Sequence, residues 1–267
     1  MKSVKIYFKH RLLTFSALLE NTSVPYNSES FHQLRIEIKK LAAFFKLLKF
    51  CSKDFPRKKN LQPYKIIFDQ AGIVRELDIV KTIVDKSLPA SALPGYNSYL
   101  KRITAKECVL FFTILKKHPL RSSNATYKKI APFISCITEK KSSHYLDKLY
   151  KRLYDVSGKK NAATAKQQHD LRKLLKIIVF TKKSLELQNN EPTNKQEHAL
   201  TQELGTWHDD YVTIRYLQKA LRLKEIPPQE KQELKTIVAR LRADSQLLAK
   251  KINNSKAELR GTNTWVK

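Results

Sequence analysis

Apolar residues recur at helical spacing along nearly the whole chain, and strand-like alternation is rare. In 31–53, Leu34, Ile38, Leu41, Phe44, Phe45 and Leu48 make one apolar face. His32, Arg35, Lys39, Lys46, Lys49 and Lys53 lie on another. In 168–187, Leu171, Leu174, Leu175, Ile178 and Leu185 form the apolar stripe, with His169, Arg172, Lys176 and Lys183 off it. The same periodicity predicts further helices at about 5–20, 61–70, 74–87, 97–118, 122–137, 139–155, 194–204, 207–223 and 229–253. The fold class these segments predict is all-α.

Local chemistry sets the expected boundaries. Ser28 and Ser30 can cap the helix that follows them, and Thr193-Asn-Lys-Gln196 has the form of a capping box. Asn189-Asn-Glu-Pro192 is expected to stop the helix before it, and Pro227-Pro228 to start the last one. Two glycines are expected to close one helix and let an acidic residue open the next: Gly72, followed by Arg75-Glu76, and Gly205, followed by His208-Asp209. The stretch 156–161 reads as the central loop.

The polar face carries a repeat. His32, Arg35, Lys39 and Lys46 recur 137 residues later as His169, Arg172, Lys176 and Lys183, with the same offset at all four positions. Steps of three, seven and fourteen residues return to nearly the same angle on a helix, so each set forms one stripe. The glycine elements follow each stripe at comparable distances. A duplicated module predicts two similarly folded, pseudo-symmetric halves, about 5–138 and 139–255, in a single domain of 5–255.

Composition changes the picture in one respect. The formal net charge is +28, while the 42% apolar content is enough for a folded core. That excess attracts polyanions: nucleic acid, polyphosphate or an anionic membrane face. Packing like charges along a helix stripe costs stability. A solvated face would normally mix signs, yet from His32 to Lys53 there are six Lys or Arg and a single acid, Glu37. Cys51, Cys108 and Cys136 have neither metal-ligand spacing nor a disulfide pattern, which fits a reducing, cytoplasmic setting. The basic N-terminus lacks the uninterrupted apolar core of a signal peptide, and no run of about 18 apolar residues exists, so no membrane insertion is expected.

The segments FHQLRIEIKKLAAFFKLLKF and QHDLRKLLKIIVFTKK, joined by AGIVRELDIV and LGTWHDDYVTI, resemble the conserved histidine α-helical domain (CHAD) family over about residues 5–253. The resemblance implies two antiparallel four-helix bundles around a central basic groove. It also implies binding of inorganic polyphosphate and association with polyphosphate granules. The site residues expected on this basis are His32, Arg35, Lys39, Lys40, Lys46, Lys49 and Arg75 from the first half. From the second come His169, Arg172, Lys173, Lys176, Lys183 and His208. The acidic Glu-x-Glu-x-Lys signature of the triphosphate tunnel domain, often fused to such domains, does not occur near the N-terminus, so a stand-alone binding module is expected.

Both stripes are expected to face one groove. No paired carboxylates, activated nucleophile or metal cluster accompanies them, so neither catalysis nor a cofactor is expected. The rival readings are non-specific nucleic-acid binding and, further off, an enzyme of phosphate-ester or polyphosphate metabolism. Lys and Arg are expected to stay charged between about pH 5.5 and 8.5, which leaves His32 and His169 to give binding its pH dependence.

Overall fold

A computed structural model describes residues 2–20, 28–157, 164–185 and 195–261 of the chain. These form α1 (Lys2–Glu20), α2 (Ser28–Cys51), α3 (Arg57–Asp85), a 3-10 turn at Ala90–Ala92, α4 (Pro94–Lys117), α5 (Ser123–Ile134), α6 (Glu139–Ser157), α7 (Ala165–Ser184), α8 (Lys195–Ala220) and α9 (Pro228–Gly261). The fold is all-α, with no strand among the described residues. Among the described residues, no helix is long and apolar enough to cross a membrane.

The apolar stripes do what their spacing predicts. Leu34, Ile38, Leu41, Phe44, Phe45 and Leu48 of α2 are buried, as are Leu171, Leu174, Leu175 and Ile178 of α7, while Leu185 is half-buried just past its end. The two helices pack on each other, and around them the neighbours run in the same order: α1 on α2, α2 on α3 and α3 on α4; then α6 on α7, α7 on α8 and α8 on α9. α3 also packs on α8. Two hydrophobic cores result. The larger is rich in aromatics, with Phe8 stacked on Phe44 at 5.0 Å and Phe45 edge-on to Phe55 at 5.5 Å. The smaller joins the C-terminal half of α3 and the start of α4 to the C-terminal half of α8 and the N-terminal half of α9, through residues such as Val80, Tyr96, Leu217 and Leu234. Each core therefore draws on residues from both sides of position 138.

Helix ends use the expected chemistry in part. α9 does start at Pro228. α7 has a complete capping box from Thr164 and Gln167. The start of α4 is capped from a distance, since buried Glu230 accepts from the Gly95 amide at 2.9 Å and the Tyr96 amide at 2.7 Å. The stop expected at 189–192, the cap expected at Thr193, most of the central loop and the Ser28 side chain lie outside the described residues.

The glycine turns are a correction. Gly72 lies inside α3 and Gly205 inside α8, and both helices run through. Glu76 and Asp209 are therefore mid-helix residues rather than caps. A helix interior accepts glycine at a cost of about 1 kcal/mol when packing on both sides favours continuity. Only one of the two glycines has a steric reason. A Cβ at Gly72 would collide with the Arg35 guanidinium, whereas one at Gly205 would meet nothing within 4 Å.

This difference predicts opposite behaviour. Gly205→Ala should raise the unfolding free energy by about 0.5–1 kcal/mol through helix propensity alone. Gly72→Ala should gain little or lose stability, because the new methyl evicts Arg35. Chemical denaturation of both variants checks this; equal stabilisation would show that Arg35 does not need the space.

Candidate functional site

The site is built where α2 meets α7, with α3 and α8 behind them. Arg35 is the most constrained member. Its Nη1 donates to the Phe68 carbonyl at 2.7 Å, its guanidinium sits 4.1 Å from the centre of the Phe68 ring, and Gly72 leaves it room. Lys39, one turn on, reaches the same ring at 5.7 Å. Phe68 of α3 is thus a platform under two cations of α2. The pattern of the sequence offers no signal for it, since it reads there as one more apolar residue.

From α7, Arg172 and Lys176 come within electrostatic range of Arg35 and Lys39. Arg172 is half-buried, and its Nε is buried with no hydrogen-bond partner. It has no counterpart of the Phe68 anchor, and the glycine that would correspond to Gly72 stands clear of it. The arginine of the first half is fastened and that of the second is not.

Burial and like charge act together on these groups. Burial, then the charges of Lys176, Arg35 and Arg172, pushes Lys39 down to about 6. Burial, then Arg172 and Arg35, pushes Lys176 down to about 8, with Asp209 opposing. Arg35 is lowered to about 10, mostly by burial, and stays charged at neutral pH. The expectation that every lysine stays charged through the physiological window thus fails at Lys39 and Lys176. They are removed from water among cations, and each sheds its proton early to relieve the cost.

The histidines join the same cluster. His32 is lowered by burial and by Arg75, and Lys39 and Lys176 also act on it. His169 is lowered by burial, Lys173 and Arg172. His208 stacks on His169, with ring centres 5.4 Å apart, and burial, Arg172 and His169 drive it to about 3. All three are neutral at pH 7. Amid them lies Asp209, the carboxylate that sequence reasoning assigned to a helix cap. Burial raises its pKa against the pull of Arg172, Arg75, Lys176 and Lys39. The acid directly after His208 was the available signal. Among the described residues, no three His, Cys, Asp or Glu side chains converge as metal ligands.

The remaining expected residues divide. Arg75 acts on His32 and Asp209 while forming an ion pair with Asp78 at 2.5 Å. Lys173 is exposed, and acts on both His169 and Lys46. Lys46, further along α2, acts with Arg57, Arg152 and Lys173 rather than with the central group. Lys40 is turned elsewhere. It pairs at 2.6 Å with buried Glu37, which also holds Arg11 at 3.1 Å, so it belongs to the α1–α2 contact. Lys49 is exposed and donates to the Lys53 carbonyl. Lys183 is exposed, and its neighbour Lys182 takes Glu197 as an ion-pair partner at 3.7 Å.

No family model and no curated protein sequence matches the chain. Solved structures do. A structure described as the CHAD domain from the plant Ricinus communis superposes with a TM-score of 0.75 at 15% identity, covering 96% of this chain and 91% of that one. The chain has the CHAD fold. PptA from Streptomyces chartreusis is also similar, with a TM-score of 0.70 at 14% identity, over 96% of this chain and 98% of that chain. At such identity the likeness is one of fold. The cations that this CHAD fold brings together come from this chain's own sequence.

The depressed lysines make a prediction about stability without any ligand. Between about pH 6 and about pH 8.5 the unfolded chain holds protons on Lys39 and Lys176 that the folded chain has partly released. A state that binds more protons is favoured by acid, so the folded state should gain stability as pH rises through this window. Lys39→Met/Lys176→Met should flatten the rise. Denaturant midpoints across that range test it, and an unchanged slope in the double variant would show that both lysines are charged in the folded protein.

Proposed function

We propose that this chain binds inorganic polyphosphate, with Arg35, Lys39, Arg172 and Lys176 as the central contacts and no catalysis of its own. The observation that carries the reading is a cluster of like charges held together by the α2–α7 packing, in which Glu76 acts on Arg35 and Asp209 on Lys39, Arg172 and Lys176. Perturbed ionisable groups cluster at functional sites. Polyphosphate suits the cluster because each of its units carries charge and it has no bases to be read. Arg172 can fork onto phosphoryl oxygens, and the lysines serve as point charges that regain their protons when the anion arrives. The similarity of fold to the Ricinus communis CHAD domain supports the same reading. The corresponding site of action is the cytoplasm, at polyphosphate granules.

Selectivity tests the proposal. Long-chain polyphosphate should displace duplex DNA and RNA of equal total charge at near-physiological salt, and its affinity should fall steeply as salt rises. Arg172→Gln should weaken polyphosphate binding by about tenfold or more, since a hydrogen bond to a charged group contributes roughly 1.5–3 kcal/mol. Nucleic acid binding as tightly as polyphosphate in direct competition would transfer the site to the rival ligand.

Proton linkage gives a second test. A bound polyanion raises the pKa of Lys39 and Lys176, so binding takes up protons between their free and bound values. Affinity should therefore decline as pH rises from about 6 to about 8.5. Lys39→Met/Lys176→Met should remove most of that decline, and His32→Gln/His169→Gln should leave it. The reverse pattern would return the pH dependence to the histidines.

A further inference from the structure

The central cluster accounts for only part of the cationic surface that the helices bring together. Beyond it, towards the C-terminal end of α2, Lys46 (α2), Arg57 (α3), Arg152 (α6) and Lys173 (α7) converge from four helices. Arg57, Arg152 and Lys173 all act on Lys46, and Arg57 and Arg152 both act on the Tyr145 hydroxyl as well. The packing that gathers them is specific. α6 lies against α2 and α7. The Phe50 ring of α2 stands 5.0 Å from that of Tyr145 on α6, with Lys148 Nζ over it at 5.1 Å, and Lys141 of α6 donates to the Cys51 carbonyl at the end of α2. No carboxylate of the described residues forms an ion pair with any of the four cations. Surface cations on this chain do find acids where any are near, as Arg102 does with Glu225 and Arg215 with Glu76.

Lys173 connects the two groups of charges. It acts on His169 in the central cluster and on Lys46 in the outer one. The positive surface is thus continuous along the α2–α7 seam. From Arg35 to Lys46 it runs 11 residues of α2, roughly 16 Å at the helical rise.

We infer that Lys46, Arg57, Arg152 and Lys173 form a second phosphate-binding station, reached by a linear polyanion that already occupies the Arg35–Arg172 cluster. This rests on the polyphosphate reading and extends it to chain length. An oligophosphate too short to span the separation occupies the centre alone, while a long chain engages both stations and gains affinity from the second without a second loss of translational freedom. Arg57 and Arg152 lie outside the repeated stripes, and their role in binding follows only from where α3 and α6 place them.

The test uses the full chain, tripolyphosphate and long-chain polyphosphate. Arg57→Gln/Arg152→Gln should weaken the long chain by about tenfold, leave tripolyphosphate within about twofold, and lower the salt slope of long-chain binding by roughly two counterions. Lys235→Gln/Arg242→Gln removes the same charge from exposed positions on α9 and should change either ligand by less than about twofold. Arg152→Gln alone, at an exposed position, repeats the measurement should the double variant unfold. Three results overturn the station: unchanged long-chain affinity, equal losses for both ligands, or an equal effect of the α9 variant. If wild type binds neither phosphate, the polyphosphate reading itself falls, which is a different outcome from a wild type whose long-chain binding ignores Arg57 and Arg152.

Discussion

Everything particular to this protein depends on packing that overrules electrostatic repulsion where α2 meets α7. Leu34, Leu41 and Leu48 on one helix and Leu175 and Ile178 on the other are fully buried. Each such side chain contributes roughly 1.5–3 kcal/mol on leaving water. That sum is ample to hold the two basic stripes at a separation they would not choose. The repulsion does not vanish. It reappears as neutral Lys39, partly neutral Lys176 and three neutral histidines, all groups that can lose their charge, while Arg35, which cannot, is bonded to the Phe68 carbonyl.

The repeat in the sequence is more regular than the site it builds. At equivalent positions the first half has Arg35 fastened to Phe68 and lodged against Gly72, and the second has Arg172 with an orphaned Nε and an open Gly205. Arg75 is matched by His208, and Glu76, which pairs with Arg215 and acts on Arg35, by Asp209, which acts on Arg172, Lys176 and Lys39. The two basic helices carry the same residues at the same offset, and the surrounding helices give their arginines different surroundings. One arginine is bonded to the Phe68 carbonyl and lies over its ring, and the other has a buried Nε without a hydrogen-bond partner.

How much of this was legible in the sequence follows from what each feature depends on. The helices and the basic stripes were readable because they are periodic, and a period survives any tertiary context. The glycine turns were misread because a glycine signals a break only when packing does not favour continuity. Gly72 answers to a side chain 37 residues away that no local pattern contains. Lys40 is among the expected site residues, yet Glu37, which also holds Arg11, draws it to the α1–α2 contact. Phe68, Asp209, Arg57 and Arg152 needed the fold, because what makes them relevant is the helix on the other side.

The neutral lysine at the centre bears on what the cluster can refuse. A cluster of permanently charged groups would attract any anion in proportion to its charge. Here Lys39 is largely deprotonated at neutral pH, and recharging it requires a negative potential strong enough to offset burial and three neighbouring cations. A single carboxylate or an isolated phosphate brings little of that potential, whereas a chain with adjacent charges brings several units of it to the same place. Protonation of Lys39 would then strengthen the hold on the proposed ligand that caused it. On the polyphosphate proposal, such a site would respond more than proportionally to charge density, the property that distinguishes a phosphate polymer from the more dilute anions around it.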